Sequence, residues 1–175
     1  MDFRSVDQAY PPPSELVPST SVESLLASKG QEVWSVSPDS LVIDAVRTMT
    51  ERRIGALLVM RAQKLVGIFS ERDYLRRVVL EDRSSSTTPV GSIMTQTVVT
   101  AGLRQTVQEC MQLMTDRRIR HLPIVEGERV IGLVSIGDVV KASLAYQHHL
   151  LGEIERYVQG VPGATLGHGG LRQSS

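Results

Sequence analysis

Apolar positions along this chain alternate between two periods. EVWSVSPDS, residues 32–40, reads as a short β-run stopped by Pro38, which has no N–H to give to a ladder. Leu41, Ala45, Val46 and Met49 then recur at helical spacing, so an amphipathic helix is expected over 41–52. Asp39 and Ser40 are natural caps in front of it. ALLVM (56–60) and KLVGIFS (64–70) are apolar runs around a short polar turn, the pattern of a hairpin. YLRRVVLED (74–82) returns to helical spacing. The series then starts again: VVTA at 98–101, a helix over 105–117, HLPIV at 121–125, RVIGLVS at 129–135, and a helix from about Gly137. Each series predicts β-α-β-β-α.

The second series is a copy of the first. Gly67–Asp73 reads GIFSERD, and 65 positions later Gly132–Asp138 reads GLVSIGD. At that offset 11 of the 41 positions from 33 to 73 are identical without a gap, among them Met49/Met114, Arg53/Arg118, Ile54/Ile119 and Leu57/Leu122. A gapless register with matched Gly, Ser and Asp marks an internal duplication, and two copies point to a pseudo-twofold pair. A shorter echo lies upstream, where VESLL (22–26) resembles VGSIM (90–94). Each copy is therefore expected to carry a short apolar turn that packs on the copy following it. The last helix outruns its counterpart, and Val140, Leu144, Leu151, Ile154 and Val158 form a stripe suited to covering the pair or a second subunit.

Composition narrows the class. Of 175 residues, 41% are hydrophobic but only 4% aromatic, so the chain is globular with an aliphatic core. Nineteen basic residues balance nineteen acidic ones, which removes any global pull toward nucleic acid or anionic membrane. A single cysteine, Cys110, excludes an internal disulfide framework and suits a reducing compartment. Residues 1–21 lack the apolar stretch of a secretory signal and carry Asp2, Asp7 and Glu15, so a cytoplasmic location is expected. The expected division is a flexible segment 1–20, copy one at 21–82, a linker at 83–92, copy two with its extended helix at 93–158, and a flexible tail at 159–175.

The repeated phrase has two readings. Ser followed three residues later by Asp at a strand-to-helix junction is a capping box, which satisfies unpaired helix N–H groups. The same junction offers N–H groups to phosphate and a carboxylate to the hydroxyls of a ribose. Gly67 and Gly132 leave room for a flat ligand or another backbone.

The order V-x-V-x-P-D, helix, R-I-x-x-L-P-I-V, G-h-h-S-x-x-D, with IMT at 93–95, resembles the cystathionine β-synthase (CBS) domain. The resemblance spans about residues 20–158. It implies an α+β fold in which two β-α-β-β-α repeats pack around a pseudo-twofold axis as a stand-alone CBS pair, or Bateman module. It further implies two clefts for adenosine ligands such as AMP, ADP, ATP, NAD(H) or S-adenosylmethionine, a homodimer, and regulation of a protein target. Asp73 and Asp138 match the ribose-holding Asp, and Ser70 and Ser135 match the Ser/Thr that touches ribose or phosphate. Ile68 and Leu133 lie on the strand flanking adenine. Ser35-Val36 and Thr100-Ala101 match the segments whose backbone reads its edge. Arg120 and His121 match a basic pair that faces phosphates, and Arg72 is a second candidate. Gly55 and Ala56 replace that pair in the first copy, so the two clefts are expected to differ. Asp138 is expected to belong to the phosphate-rich one.

Plainer roles compete. Arg52, Arg53, Arg117 and Arg118 close helices, where cations suit the dipole. Cys110 and Met49, Met94, Met111 and Met114 read as core. Trp34 suits either a base or a strand-end core. His148-His149 lack neighbouring metal ligands. No acid–base pair, nucleophile elbow or metal cluster is legible, so a non-enzymatic sensor is expected, with a ligand-independent scaffold as the alternative. Nucleic-acid binding is disfavoured by the few aromatics.

Overall fold

A computed structural model describes residues 20–159 of the chain. The segments 1–19 and 160–175, expected to be flexible, lie outside the described residues. Helix α1 spans Val22–Lys29, β1 Ser35–Val36, α2 Val42–Arg52, β2 Ala56–Arg61, β3 Lys64–Ser70 and α3 Glu71–Tyr74. The second copy supplies α4 Val107–Arg117, β4 His121–Glu126, β5 Arg129–Ser135 and α5 Ile136–Gln159.

The duplication is reproduced in fine detail. In each copy an antiparallel hairpin pairs Ala56 with Ser70, or His121 with Ser135. The register shifts once in each, between Val59 and Met60 and between Ile124 and Val125, which are equivalent positions. Helices α2 and α4 both end on an arginine in the left-handed region, Arg53 at φ 54° and Arg118 at φ 53°. Each of these arginines returns its N–H to the last turn of its helix.

The copies differ at their first strand. In copy one, β1 runs parallel to β2 and Leu58 donates its N–H to the Trp34 carbonyl at 3.1 Å. The equivalent of Leu58 is Pro123, which has no N–H. The strand expected at 98–101 is accordingly reduced to a single bridge, in which Ala101 donates to Pro123 O and accepts from Val125 N. A second departure lies in 74–82. The helix widens after Tyr74 into a π-turn over Leu75–Val79, with Leu80 donating five residues back to Leu75.

The upstream turns do not pack on the copies that follow them, as the sequence pattern suggested. Val22, Leu25 and Leu26 of α1 are buried with Val107, Cys110, Met114, Leu122 and Val134 of copy two. Val90 and Ile93 are buried with Val42, Met49, Leu57 and Phe69 of copy one. Backbone bonds follow the same exchange. Val42 and Ile43 at the start of α2 donate to Thr88 and Ser85 of the linker, so Leu41 occupies the cap position without a side-chain bond. Asp39 and Ser40 do not cap it. The equivalent Val107 donates to Thr20.

The glycines of the repeated phrase are the seats of this exchange. A Cβ on Gly132 would stand 2.8 Å from both methyls of Leu26. One on Gly67 would strike Met94 and lie 3.2 Å from the Thr95 carbonyl. Thr95 in turn exchanges two backbone bonds with Ile68, each 2.9 Å.

Candidate functional site

Both Ser-x-x-Asp junctions form capping boxes. Asp73 donates its N–H to Ser70 Oγ at 3.3 Å, while Asp73 Oδ2 accepts from Ser70 N at 3.0 Å and Ser70 Oγ at 2.6 Å. In copy two Asp138 N meets Ser135 Oγ at 3.2 Å, and Asp138 Oδ2 accepts from Ser135 N and Oγ at 2.8 Å each. Capping uses one oxygen per carboxylate, which leaves acceptor capacity for further donors. Asp73 Oδ1 takes a bond from Thr95 Oγ1 at 3.0 Å. Asp138 is instead paired with Lys29 of α1. Thr95 and Lys29 both come from the exchanged upstream segments.

Each carboxylate opens into a cleft between the copies. The Asp73 cleft is about 480 Å³ and is walled by Ile68, Ser70, Arg72, Arg76 and Arg77 from copy one and Arg118, Ile119, Arg120 and His121 from copy two. The Asp138 cleft is about 350 Å³ and is lined by Leu133, Ser135, Lys29, Glu32, Trp34, Arg53 and His121. Both volumes lie within the usual range for small-ligand sites.

Arg120 therefore faces the carboxylate of the other copy, while His121 stands between the two clefts and lines both. The sequence expectation placed the phosphate-rich cleft at Asp138; the structure places the arginines at Asp73. The reason is geometric. The two hairpins meet across the pseudo-twofold axis, so the start of β4 stands over the end of β3. A Cβ on Gly55 would lie 3.3 Å from the His121 ring and 3.4 Å from Glu71 Oε2. Arg72 bridges the copies, donating to the Arg118 carbonyl at 2.8 Å. Arg77 donates to the Met94 and Ile93 carbonyls at 2.8 and 3.2 Å. Arg76 and Arg120 take no such bond among the described residues.

Charge states follow from surroundings. Burial lowers the His121 imidazole below its ordinary value; Glu71 and Asp138 oppose this without reversing it, and Lys29 and Arg120 add to the lowering. Burial raises the Asp138 carboxyl, but bonds from Lys29 and Ser135 outweigh it and hold the group below the usual value. Cys110, fully buried, has its thiol pushed up to about 11 by burial and by Glu109.

Of the remaining sequence candidates, Ile68 and Leu133 each line the cleft of their own copy. Ser35 is exposed on β1, Val36 and Thr100 are half-buried, and Ala101 is buried in its bridge; none of the four lines either cleft. Trp34 packs on the first core, carries the Arg52 guanidinium 3.9 Å above its ring, and lines the Asp138 cleft. Sequence reasoning missed Lys29, Thr95 and Arg76, and gave Arg53 and Arg118 only a helix-ending role. The echo between 22–26 and 90–94 was the available signal for the first two. Among the described residues no group of three or more His, Cys, Asp or Glu is placed to hold a metal ion. No described helix is long and apolar enough to cross a membrane.

Comparison with known proteins agrees with this architecture. The family model for the CBS domain matches twice, at residues 22–80 and 90–145. The chain is 41% identical over 152 residues to the mitochondrial CBS domain-containing protein CBSX3 of Arabidopsis thaliana, covering 81% of this chain and 73% of that one. It is 31% identical over 108 residues to the CBS domain-containing protein YhcV of Bacillus subtilis (strain 168), covering 62% and 76%. The solved structure of a putative signal-transduction protein with CBS domains from Burkholderia ambifaria MC40-6 superposes with a TM-score of 0.71 at 46% identity, over 72% of this chain and 95% of that one.

Proposed function

The chain belongs to the CBS-domain family, and from that premise we propose that it is a non-enzymatic regulatory module whose clefts bind adenosine nucleotides. One observation carries the reading: a partly committed carboxylate, Asp73, shares a cleft with Arg72, Arg76, Arg118, Arg120 and His121. Asp73 retains acceptor sites for the two ribose hydroxyls. Guanidinium groups pair with phosphate oxygens bidentately and keep their charge at every physiological pH. Five arginines against Glu71 and Asp73 favour an anionic nucleotide (AMP, ADP, ATP or NAD(H)) over the cationic sulfonium of S-adenosylmethionine. The Asp138 cleft, smaller and with its carboxylate held by Lys29, is the weaker site. There Trp34, beside Ser35 and Val36, is the surface for the base.

Occupancy of a cleft ties Asp73 of one copy to Arg120 and His121 of the other. A ligand that binds one relative placement of the copies better than another shifts the population toward it, and a protein target reads the shift. Half-exposed Leu75 and Val79 lie 65 positions before half-exposed Val140 and Leu144, so the pseudo-twofold axis relates two apolar faces. Those faces suit a homodimer. The cytoplasm is the compartment we propose; the Arabidopsis relative carries "mitochondrial" in its name, and cell fractionation separates the two locations.

The test is thermal unfolding against AMP, ADP, ATP, NAD, NADH and S-adenosylmethionine. A ligand at about 100 times its dissociation constant adds about 2.7 kcal/mol, a rise of roughly 2–4 °C per kcal/mol for a chain of this size. Anionic nucleotides should shift the midpoint, and Asp73→Asn should remove most of the shift while Asp138→Asn removes less. No shift with any ligand would refute the nucleotide reading and leave a ligand-independent scaffold. Sustained turnover of ATP or NADH by clean protein would overturn the non-enzymatic reading.

A further inference from the structure

We propose that α5 pairs antiparallel with α5 of a second copy, and that Lys141 and Glu155 set the register. The proposal rests on the homodimer reading above and adds its geometry.

Helix α5 has 24 residues, about 36 Å at 1.5 Å per residue. Its counterpart in copy one ends with the π-turn at Val79. The second core takes Ile136, Val139 and Ala142 from its first turns. Beside that face, along the helix, Val140, Leu144, Leu151 and Ile154 are 44%, 51%, 57% and 59% exposed. At about 100° per residue these four fall within roughly 40° of one line. Their spacing of four, seven and three is a heptad seam in which Gln147 fills the remaining place. The side chain of Val158, which the sequence adds to this stripe, lies outside the described residues.

The flanks choose the orientation. Lys141, His148 and Glu155 lie along one flank, Ser143 and Leu150 along the other. Within the helix Glu153 is met by His149 at 3.5 Å and by Arg156 at 4.0 Å. Lys141 and Glu155 have no ion-pair partner among the described residues. In an antiparallel pair, like flanks adjoin. A dyad near His148 sets Lys141 against Glu155 of the partner subunit, twice by symmetry. It also sets Leu144 against Ile154 of the partner subunit. In a parallel pair the charged flank meets Ser143 and Leu150, no ion pair forms, and Gln147 faces its own copy. The antiparallel arrangement also uses the extra length of α5, because the second half of each helix covers the exposed stripe on the first half of the other.

Sedimentation equilibrium of the full chain tests this, with circular dichroism melts confirming that each variant is folded. Lys141→Glu and Glu155→Lys each turn two attractions into two repulsions and should weaken dimerisation roughly 5- to 30-fold. The double variant Lys141→Glu, Glu155→Lys should recover the parent affinity. Under mild oxidation, Lys141→Cys mixed with Glu155→Cys should cross-link, and neither should cross-link with itself. A dimer indifferent to both reversals, or self-linking of either cysteine variant, overturns the seam and leaves the dimer standing. A monomer at all concentrations overturns both.

Discussion

Lys29→Met separates what α1 does for the fold from what it does to a cleft. The ammonium of Lys29 sits on the Asp138 carboxylate, the group assigned here to ribose, and the two side chains are 29% and 26% exposed. A pair so placed contributes about 0.2–1 kcal/mol. Methionine keeps the stem and removes the charge, so folding stability should drop by about that amount. Adenosine, which has no phosphate, must compete with Lys29 for the carboxylate. With the competitor gone its affinity should rise about 1.4- to 5-fold, the same free energy expressed as a ratio. AMP should gain less, because in the parent the released ammonium can turn to its phosphate. The acid limb provides an independent reading. The folded value of Asp138 is depressed, so its contribution is present above the ordinary value of 3.8 and is lost as pH falls through the lower folded value. Lys29→Met should shrink that loss. Calorimetric titration with adenosine in an Asp73→Asn background isolates the cleft. An unchanged or weaker adenosine affinity, with an unchanged acid limb, would refute the claim that Lys29 holds this carboxylate.

Other consequences are equally direct. Leu26→Ala should cost about 2–5 kcal/mol in urea unfolding, because Leu26 is 1% exposed in the core of copy two. The β2–β3 turn puts Ala62 at φ 47° and Gln63 at φ 67°, left-handed positions that cost about 1 kcal/mol each for such residues. Ala62→Asn with Gln63→Gly should therefore raise the melting midpoint by several degrees. His121, lowered by burial, makes folding more favourable above its ordinary value of 6.5, and this contribution is lost as pH falls through the depressed folded value. His121→Gln should flatten the stability profile below pH 6.5. Cys110, with its thiol at about 11 and no exposed surface, should react with a disulfide reagent at mild alkaline pH only as fast as the protein opens.

Much of this protein is written locally in its sequence. Two copies, the order of their elements, the hairpins and both Ser-x-x-Asp junctions follow from apolar period and from short-range bonds. These depend on neighbours a few residues apart, which a sequence displays. The first strand of copy two, expected at 98–101, is an exception: apolar period marked it, but its pairing partner is distant in the chain and Pro123 has no N–H to give it. Tertiary structure decided which surface each element meets. The apolar turns at Val22–Leu26 and Val90–Met94 carry the same pattern, and burying either against either copy would remove similar surface from water. Periodicity records that a face is apolar and is silent on which of two near-identical faces covers it. The exchange of those turns brought Lys29 to Asp138 and Thr95 to Asp73. Close approach of the hairpins across the axis brought Arg120 to Asp73 rather than to the aspartate of its own copy, and set His121 between the two clefts. The chemistry of each side chain is a property of the sequence; the company it keeps at a cleft is set by the packing of two copies against one another.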